Sequence, residues 1–240
     1  MPVARDQHHI DACIANGENG AGGFGLTAQT AEEFFATGVD FITSGNHIYD
    51  KRDFRAYLEE SERVIRPANY PPAAPGRGSG TFQANGVTIG VLNLMGRVFM
   101  PTVDDPFRVA RENVDDLRHK TKVIVVDIHA EATSEKVALA RFLDGQVSAI
   151  YGTHTHVQTS DEHILPGGTA YITDLGMTGP SDGVIGMDQG AVLERFMTGI
   201  SERFSVQKSG TKQFCAAVVN IDTESGRALN IKRIFMRGVA

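Results

Sequence analysis

The sequence predicts an α/β layered fold, and three observations carry that expectation. Short apolar β-type runs alternate with helical patterns along the chain. One run, residues 123–128, is apolar at nearly every position, which marks a strand buried on both faces. Polar side chains suited to metal binding follow the ends of several such runs, where open α/β sheets place their sites.

Taken in order, residues 12–15 form a short apolar run that ends at Asn16-Gly17-Glu18-Asn19, and residues 20–25 are a glycine-rich loop. Thr27 is placed to cap a helix that runs through Phe35 and stops near Gly38. Residues 39–43 read as a strand followed by Ser44-Gly45-Asn46-His47, and residues 51–60 as a helix. Proline and glycine make residues 67–80 a loop. Asn85-Gly86 is a hairpin-turn signal ahead of a strand at 87–94. A helix is expected over 106–119, the buried strand over 123–128, and an amphipathic helix over 134–143, ending near Gly145. Residues 147–151 form a further strand, followed by Gly152-Thr153-His154-Thr155-His156. Residues 170–173 read as a strand, 175–186 as a glycine-rich loop and 189–197 as a helix. Residues 213–222 and 228–236 read as a closing hairpin around 223–227. No shift in composition marks a boundary, so one domain spanning residues 1–240 is expected.

A chain of 240 residues can bury a substantial core without cross-links. Its formal charge of −6 gives no basic footprint, so tight nucleic-acid binding is not expected. A small phosphate substrate remains compatible, because bound metal ions would add positive charge locally. The two cysteines, Cys13 and Cys215, read as small core residues on strands, which argues against a disulfide framework and for a reducing compartment. No apolar stretch approaches membrane-spanning length and residues 1–6 lack an apolar signal core, so a cytoplasmic protein is expected.

Four strand-like runs end in metal-ligand side chains: Glu18 and Asn19, Asn46 and His47, His129, and His154 with His156. A lone histidine at a strand end is usually a surface or hydrogen-bonded residue, and Gly45-Asn46-His47 alone could be an ordinary turn. The joint pattern is more specific, since four of the eight histidines fall at strand ends. Imidazole, amide and carboxylate without thiolate suit Mn or Fe, with Zn also able to bind. A carboxylate such as Glu18 can bridge two cations, and paired metals roughly 3.5–4 Å apart can clamp a phosphoryl group and activate water. The leaving oxygen then needs a proton, and His47, directly after a candidate ligand, could give it.

Other features carry less. The loop at 20–25 lacks the Lys-Ser/Thr ending of a phosphate-binding P-loop. His8-His9 reads as an exposed helix end, and Asp104-Asp105 as helix N-terminal or solvent-facing charge. Arg97 fits a phosphate or base contact and a surface ion pair equally well.

The order Gly17-Glu18-Asn19, Gly45-Asn46-His47, a strand ending at His129, and Gly152-Thr153-His154-Thr155-His156 resembles the calcineurin-like metallophosphoesterases. The match is closer to their YmdB-like branch, with Asn16-Gly17-Glu18-Asn19 before a glycine-rich loop, Arg66-Pro67-Ala68-Asn69, Asp105-Pro106-Phe107, the run from His129 to Lys136, and Gly176-Met177-Thr178-Gly179-Pro180. It extends from about Ala12 to the C-terminus. The resemblance implies a four-layer α/β/β/α sandwich, two metal ions, often iron or manganese, and phosphodiesterase activity on cyclic nucleotides, including 2′,3′-cyclic ones. It implies that Glu18 bridges both metals, that Asn46, His129 and His154 complete one, that Asn19 and His156 serve the other, and that His47 is the proton donor.

The resemblance also implies an opening strand ending in Gly-Asp, whose aspartate binds the Asn19/His156 metal. No such motif lies ahead of Ala12, where residues 1–11 read as the tail of a helix. An unpaired sheet edge or a hole in the core is therefore expected. Two readings follow: an internal start within a longer protein, or a variant that is mononuclear, weakly active or dimerised over the open edge. The alternative function is a catalytically impaired metal- or nucleotide-binding regulatory module. A metal-dependent amidase is a more distant reading, because its His-x-His pair sits on an early strand whereas His154 and His156 come late. A homo-oligomer is compatible with the sequence throughout.

Overall fold

The computed structural model describes residues 2–200 and 203–238; Met1 of the expected helix tail lies outside them. The elements in chain order are α1 (Pro2–His8), β1 (Ile14–Asn16), α2 (Ala28–Ala36), β2 (Phe41–Thr43), α3 (Phe54–Glu60), β3 (Ser79–Ala84), β4 (Val87–Met95), α4 (Pro106–Arg118) and β5 (Val123–His129). They continue with α5 (Thr133–Leu143), β6 (Ala149–Thr153), β7 (His163–Ile164), β8 (Ala170–Ile172), β9 (Gly179–Pro180), α6 (Gln189–Thr198), β10 (Lys212–Ile221) and β11 (Ala228–Arg237).

Local chemistry sets most boundaries. The Thr27 hydroxyl accepts the Thr30 N–H and starts α2, and the Asp105 carboxylate accepts the Phe107 N–H and starts α4 with proline in its first turn. Asn85 and Gly86 both adopt positive φ, 47° and 80°, which closes the β3–β4 hairpin. Several boundaries shift, and β1 and β6 each begin two residues later than expected, at Ile14 and Ala149. β2 begins at Phe41 rather than residue 39, because the carbonyls of Val39 and Asp40 accept from the Arg63 guanidinium instead of a strand. α3 begins at Phe54 because residues 51–53 form a turn, closed by the Phe54 N–H on the Lys51 carbonyl. The proline-rich loop ends two residues early, because Ser79 already pairs with Leu92.

The central sheet has six strands in the order β3-β4-β5-β6-β8-β7. β4, β5, β6 and β8 run parallel, and the edge strands β3 and β7 are antiparallel to their neighbours. Side chains alternate across it. Ile124, Val126 and Ile128 pack against Val114 and Leu117 of α4 and Leu139 and Leu143 of α5. The opposite face meets a second layer: Val91 packs with Phe41, and Ala149 and Ala170 pack with Ala228, Val219 and Ile231. Beyond that layer, α2 and α3 cover Ile42 and Val64 with Ala31, Phe54 and Leu58. Helices, sheet, sheet and helices thus stack in the expected four layers.

The second layer is divided. β1 pairs only with β2, in parallel, while β10 pairs with β11 and, at Lys212 and Gln213 alone, with β9. Between them runs a cleft of about 810 Å³, walled by Cys13–Ala15 and Phe214–Ile221 and floored by Val123, Val125 and Tyr151. The cysteines differ from expectation: Cys13 lies just ahead of β1 and Cys215 on β10, both half-buried along the cleft walls and not joined in a disulfide. No helix among the described residues is long and apolar enough to cross a membrane.

Candidate metal centre

Register brings the candidate residues together. β5 pairs with β4 and β6 so that His129 lies level with Met95 and Thr153, and the loops that follow these strands leave at one end of the sheet. Asn16, at the end of β1, ties the neighbouring loops down. Its Nδ2 donates to the Ser44 carbonyl (3.0 Å) and to Asp127 Oδ2 (2.9 Å), and its Oδ1 accepts the Glu18 N–H (3.0 Å). The turn that carries Asn46 is anchored from below, where buried Asn93 accepts the Ser44 N–H at 3.0 Å. Gly45 leaves no room for a side chain: a Cβ there would overlap the His129 ring and the Glu18 carboxylate.

Three acceptors converge on one ring nitrogen. His129 Nε2 lies 2.9 Å from Asn46 Oδ1, 3.1 Å from Glu18 Oε2 and 3.1 Å from His154 Nδ1. The protons are spent elsewhere. Thr153 donates its hydroxyl to Asp127 Oδ1 (2.7 Å), so at 3.0 Å it can only accept from His129 Nδ1, and that nitrogen carries the ring proton. His154 Nε2 lies 3.2 Å from Glu131 Oε2, which places its proton there and leaves Nδ1 a lone pair. A proton on His129 Nε2 could satisfy only one of its three neighbours. A cation satisfies all of them, and the Glu18, His129 and His154 ligand atoms lie within 4.8 Å of one another. The donor set therefore fits a metal ion with N/O preference.

Electrostatics agree. In the metal-free chain a proton on the His129 ring stands where the cation would: burial alone would raise the Glu18 carboxyl, but the charge and hydrogen bond of that protonated ring, with the His47 N–H on Oε1, outweigh it and hold the group at about 2. Burial, reinforced by His129 alongside, pushes His154 down to about 4, so it is the neutral imidazole a metal requires. Burial drives Asp127 up to about 6 against hydrogen bonds from Thr43, Asn16 and Thr153 and the nearby His129.

The remaining candidates sit differently. Asn19 and His156 line the cleft with Glu18 and His154, but His156 lies outside the Glu18–His129–His154 group and the Asn19 amide is turned to a loop carbonyl. Asn19 Nδ2 donates to the Gly23 carbonyl (2.7 Å), and His156 Nδ1 donates to the Ile185 carbonyl (2.9 Å), which leaves Nε2 a lone pair. His47 holds Asp50 Oδ2 at 2.8 Å through Nδ1 and meets Phe24 edge-on at 5.1 Å.

A family model for YmdB-like proteins matches residues 1–234. The chain belongs to the YmdB-like family. It is 44% identical over 236 residues to the 2′,3′-cyclic-nucleotide 2′-phosphodiesterase of Bacillus subtilis, covering 98% of this chain and 89% of that protein. It is 35% identical to a putative phosphatase/phosphodiesterase of Mycoplasma genitalium, covering 98% and 85%. Among solved structures, a hypothetical protein from Thermus thermophilus superposes with a TM-score of 0.92 at 42% identity, covering 99% of this chain and 91% of that one. A phosphatase from Mycoplasma pneumoniae superposes at 0.91 with 34% identity, covering 98% and 85%.

In this YmdB-like chain, sequence reasoning missed Asn16, Asp50, Asp127, Glu131 and Thr153, which hold the candidate residues. One carried a readable signal: Asp127 is an acid inside a run otherwise apolar on both faces, and such a charge is costly unless it serves a partner. Asn16, Glu131 and Thr153 are ordinary loop and strand-end residues whose contacts cross between strands, and Asp50 is a turn residue close to His47 in the chain.

Proposed function

We propose that this chain is a metal-dependent phosphodiesterase that hydrolyses cyclic nucleotides, 2′,3′-cyclic ones among them, within a single domain spanning residues 1–240. The observation that carries the reading is the convergence of Asn46, Glu18 and His154 on one ring nitrogen, Nε2 of His129. The activity printed for the Bacillus relative supports the substrate class.

In this reading Glu18, Asn46, His129 and His154 would hold one metal, and Glu18, Asn19 and His156 would serve another. Iron or manganese suits the donor set best. When bound, these ions supply Lewis acidity toward the phosphoryl oxygens and lower the pKa of water for in-line attack. Asp127 and Glu131 fix the ring protons of His129, through Thr153, and of His154, so both imidazoles present lone pairs without reorganising. With Asp50 on the Nδ1 proton, the imidazolium form of His47 would carry its second proton on Nε2 and give it to the departing sugar oxygen as that oxygen's bond to phosphorus breaks. A small phosphodiester and no membrane partner are expected, and two cysteines not joined in a disulfide suit the cytoplasm.

The test is hydrolysis of bis-p-nitrophenyl phosphate and of 2′,3′-cyclic nucleotides with added Mn²⁺. His47→Ala is expected to lower turnover by about 10²–10⁴-fold while Mn²⁺ binding persists. A folded, Mn²⁺-binding chain with no turnover would favour the regulatory binding module, a reading motivated by the separation of Asn19 and His156 from the cluster.

A further inference from the structure

Two residues of the His154-Thr155-His156 turn take backbone conformations that side chains disfavour. His154 has φ of 97° and His156 has φ of 65°. Left to local preference, this turn would relax and swing both imidazoles off their present directions, so something must hold the residue between them.

That residue is Thr155. Its N–H donates to Asp174 Oδ2 at 3.2 Å, and its hydroxyl donates to the same oxygen at 2.7 Å. The other carboxylate oxygen accepts the Gly176 N–H at 2.8 Å. Asp174 follows β8, whose pairing with β6 runs from Ala149–Ala170 to Tyr151–Ile172, and the Leu175 N–H then closes on the Gly152 carbonyl at 2.9 Å. The carboxylate is thus carried on a strand end locked in register with the strand that leads into the turn.

Lys136 supplies the compensating charge. Its Nζ lies 2.7 Å from Asp174 Oδ2, and both side chains are only 1% exposed. It reaches the site from α5 past Gly152, where a Cβ would stand 2.7 Å from Lys136 Cδ and overlap the Thr173 carbonyl. A buried carboxylate with several hydrogen-bond donors and one ammonium is a fixed anchor, because breaking any member leaves a buried polar group unpaired.

We propose that Asp174, neutralised by Lys136, is a positioning residue that clamps Thr155 and thereby aims His154 and His156 into the cleft. The proposal deepens the metal-site reading and rests on it for its purpose, but the clamp itself is a property of the metal-free chain. A plain structural role, in which the ion pair only joins α5 to β8, is the rival account.

Thr155→Val separates them, because it removes the hydroxyl donor and leaves the Lys136–Asp174 pair and the Gly176 contact in place. Thr155→Ser restores the donor. In the metal-free chain, imidazole ¹⁵N signals of His154 and His156 are expected to move in Thr155→Val and to stay in place in Thr155→Ser, with His163 as an unmoved reference. Calorimetric titration with Mn²⁺ is expected to show affinity about 10–100-fold weaker in Thr155→Val and near the parent value in Thr155→Ser. Unmoved His154 and His156 signals in Thr155→Val would overturn the clamp, whatever the titration shows. Shifted signals in a parent chain that binds no Mn²⁺ would uphold the clamp and count against the metal reading instead.

Discussion

The two groups of candidate ligands differ in how they are held. Glu18 and His129 are buried, at 2% and 0% exposure, and the ring protons of His129 and His154 are committed to Thr153 and Glu131. Asn19 and His156 are half-exposed, each tied by a single side-chain bond to a loop carbonyl, at Gly23 and Ile185. The first group is assembled by sheet register and by a buried polar network. The second depends on loops beside the divided second layer. Preorganisation in this molecule therefore follows strand pairing: where β4, β5 and β6 run level, the donors already face one another without a metal.

The sharpest way to break that comparison is His129→Ala. It removes the nitrogen on which the other donors converge, so Mn²⁺ affinity at this site should fall by more than the roughly 10–100-fold that an outer partner costs. Calorimetric titration checks it, and parent-like affinity would mean the cluster is not the binding site.

Asp127→Asn tests the network one step out and should weaken Mn²⁺ binding by about 10-fold. It also carries a pH signature. Folding raises Asp127 from 3.8 to about 6, so the folded chain holds this proton more tightly than the unfolded one. The contribution of Asp127 to stability is greatest below pH 4 and is lost as pH rises through 6. Melts of the metal-free proteins should therefore show Asp127→Asn gaining on the parent between pH 4 and 6. A constant difference across that window would contradict the assignment.

His156→Ala should have the smallest effect on the preformed cluster. One of two Mn²⁺ equivalents should weaken or disappear in the titration while the tighter one stays within a few-fold of the parent. Equal loss at both would show that the two groups act as one unit.

What was legible in the sequence follows the same division. The apolar run containing Asp127 announced a strand buried on both faces, and that strand delivers His129 to the site. Glu18, Asn46 and His154 were legible because each follows an apolar run directly. The outer network was not, because Asn16 reaches Asp127 across 111 residues and Thr43 reaches it across 84, and only the strand order makes those contacts. The Lys136–Asp174 pair was hidden for the same reason, since α5 and β8 meet only through the parallel crossover. The boundaries of β2 and α3 shifted where side chains such as Arg63 took over backbone carbonyls, a contact that local pattern does not encode.

The central claim is that these four donors form a metal site before any metal binds. Anomalous diffraction at the manganese edge from Mn²⁺-soaked crystals tests it most directly. The account predicts a peak among Glu18 Oε2, Asn46 Oδ1, His129 Nε2 and His154 Nδ1, with those side chains close to their metal-free positions. A manganese peak held by other residues, or no peak at this cluster under saturating metal, would contradict it.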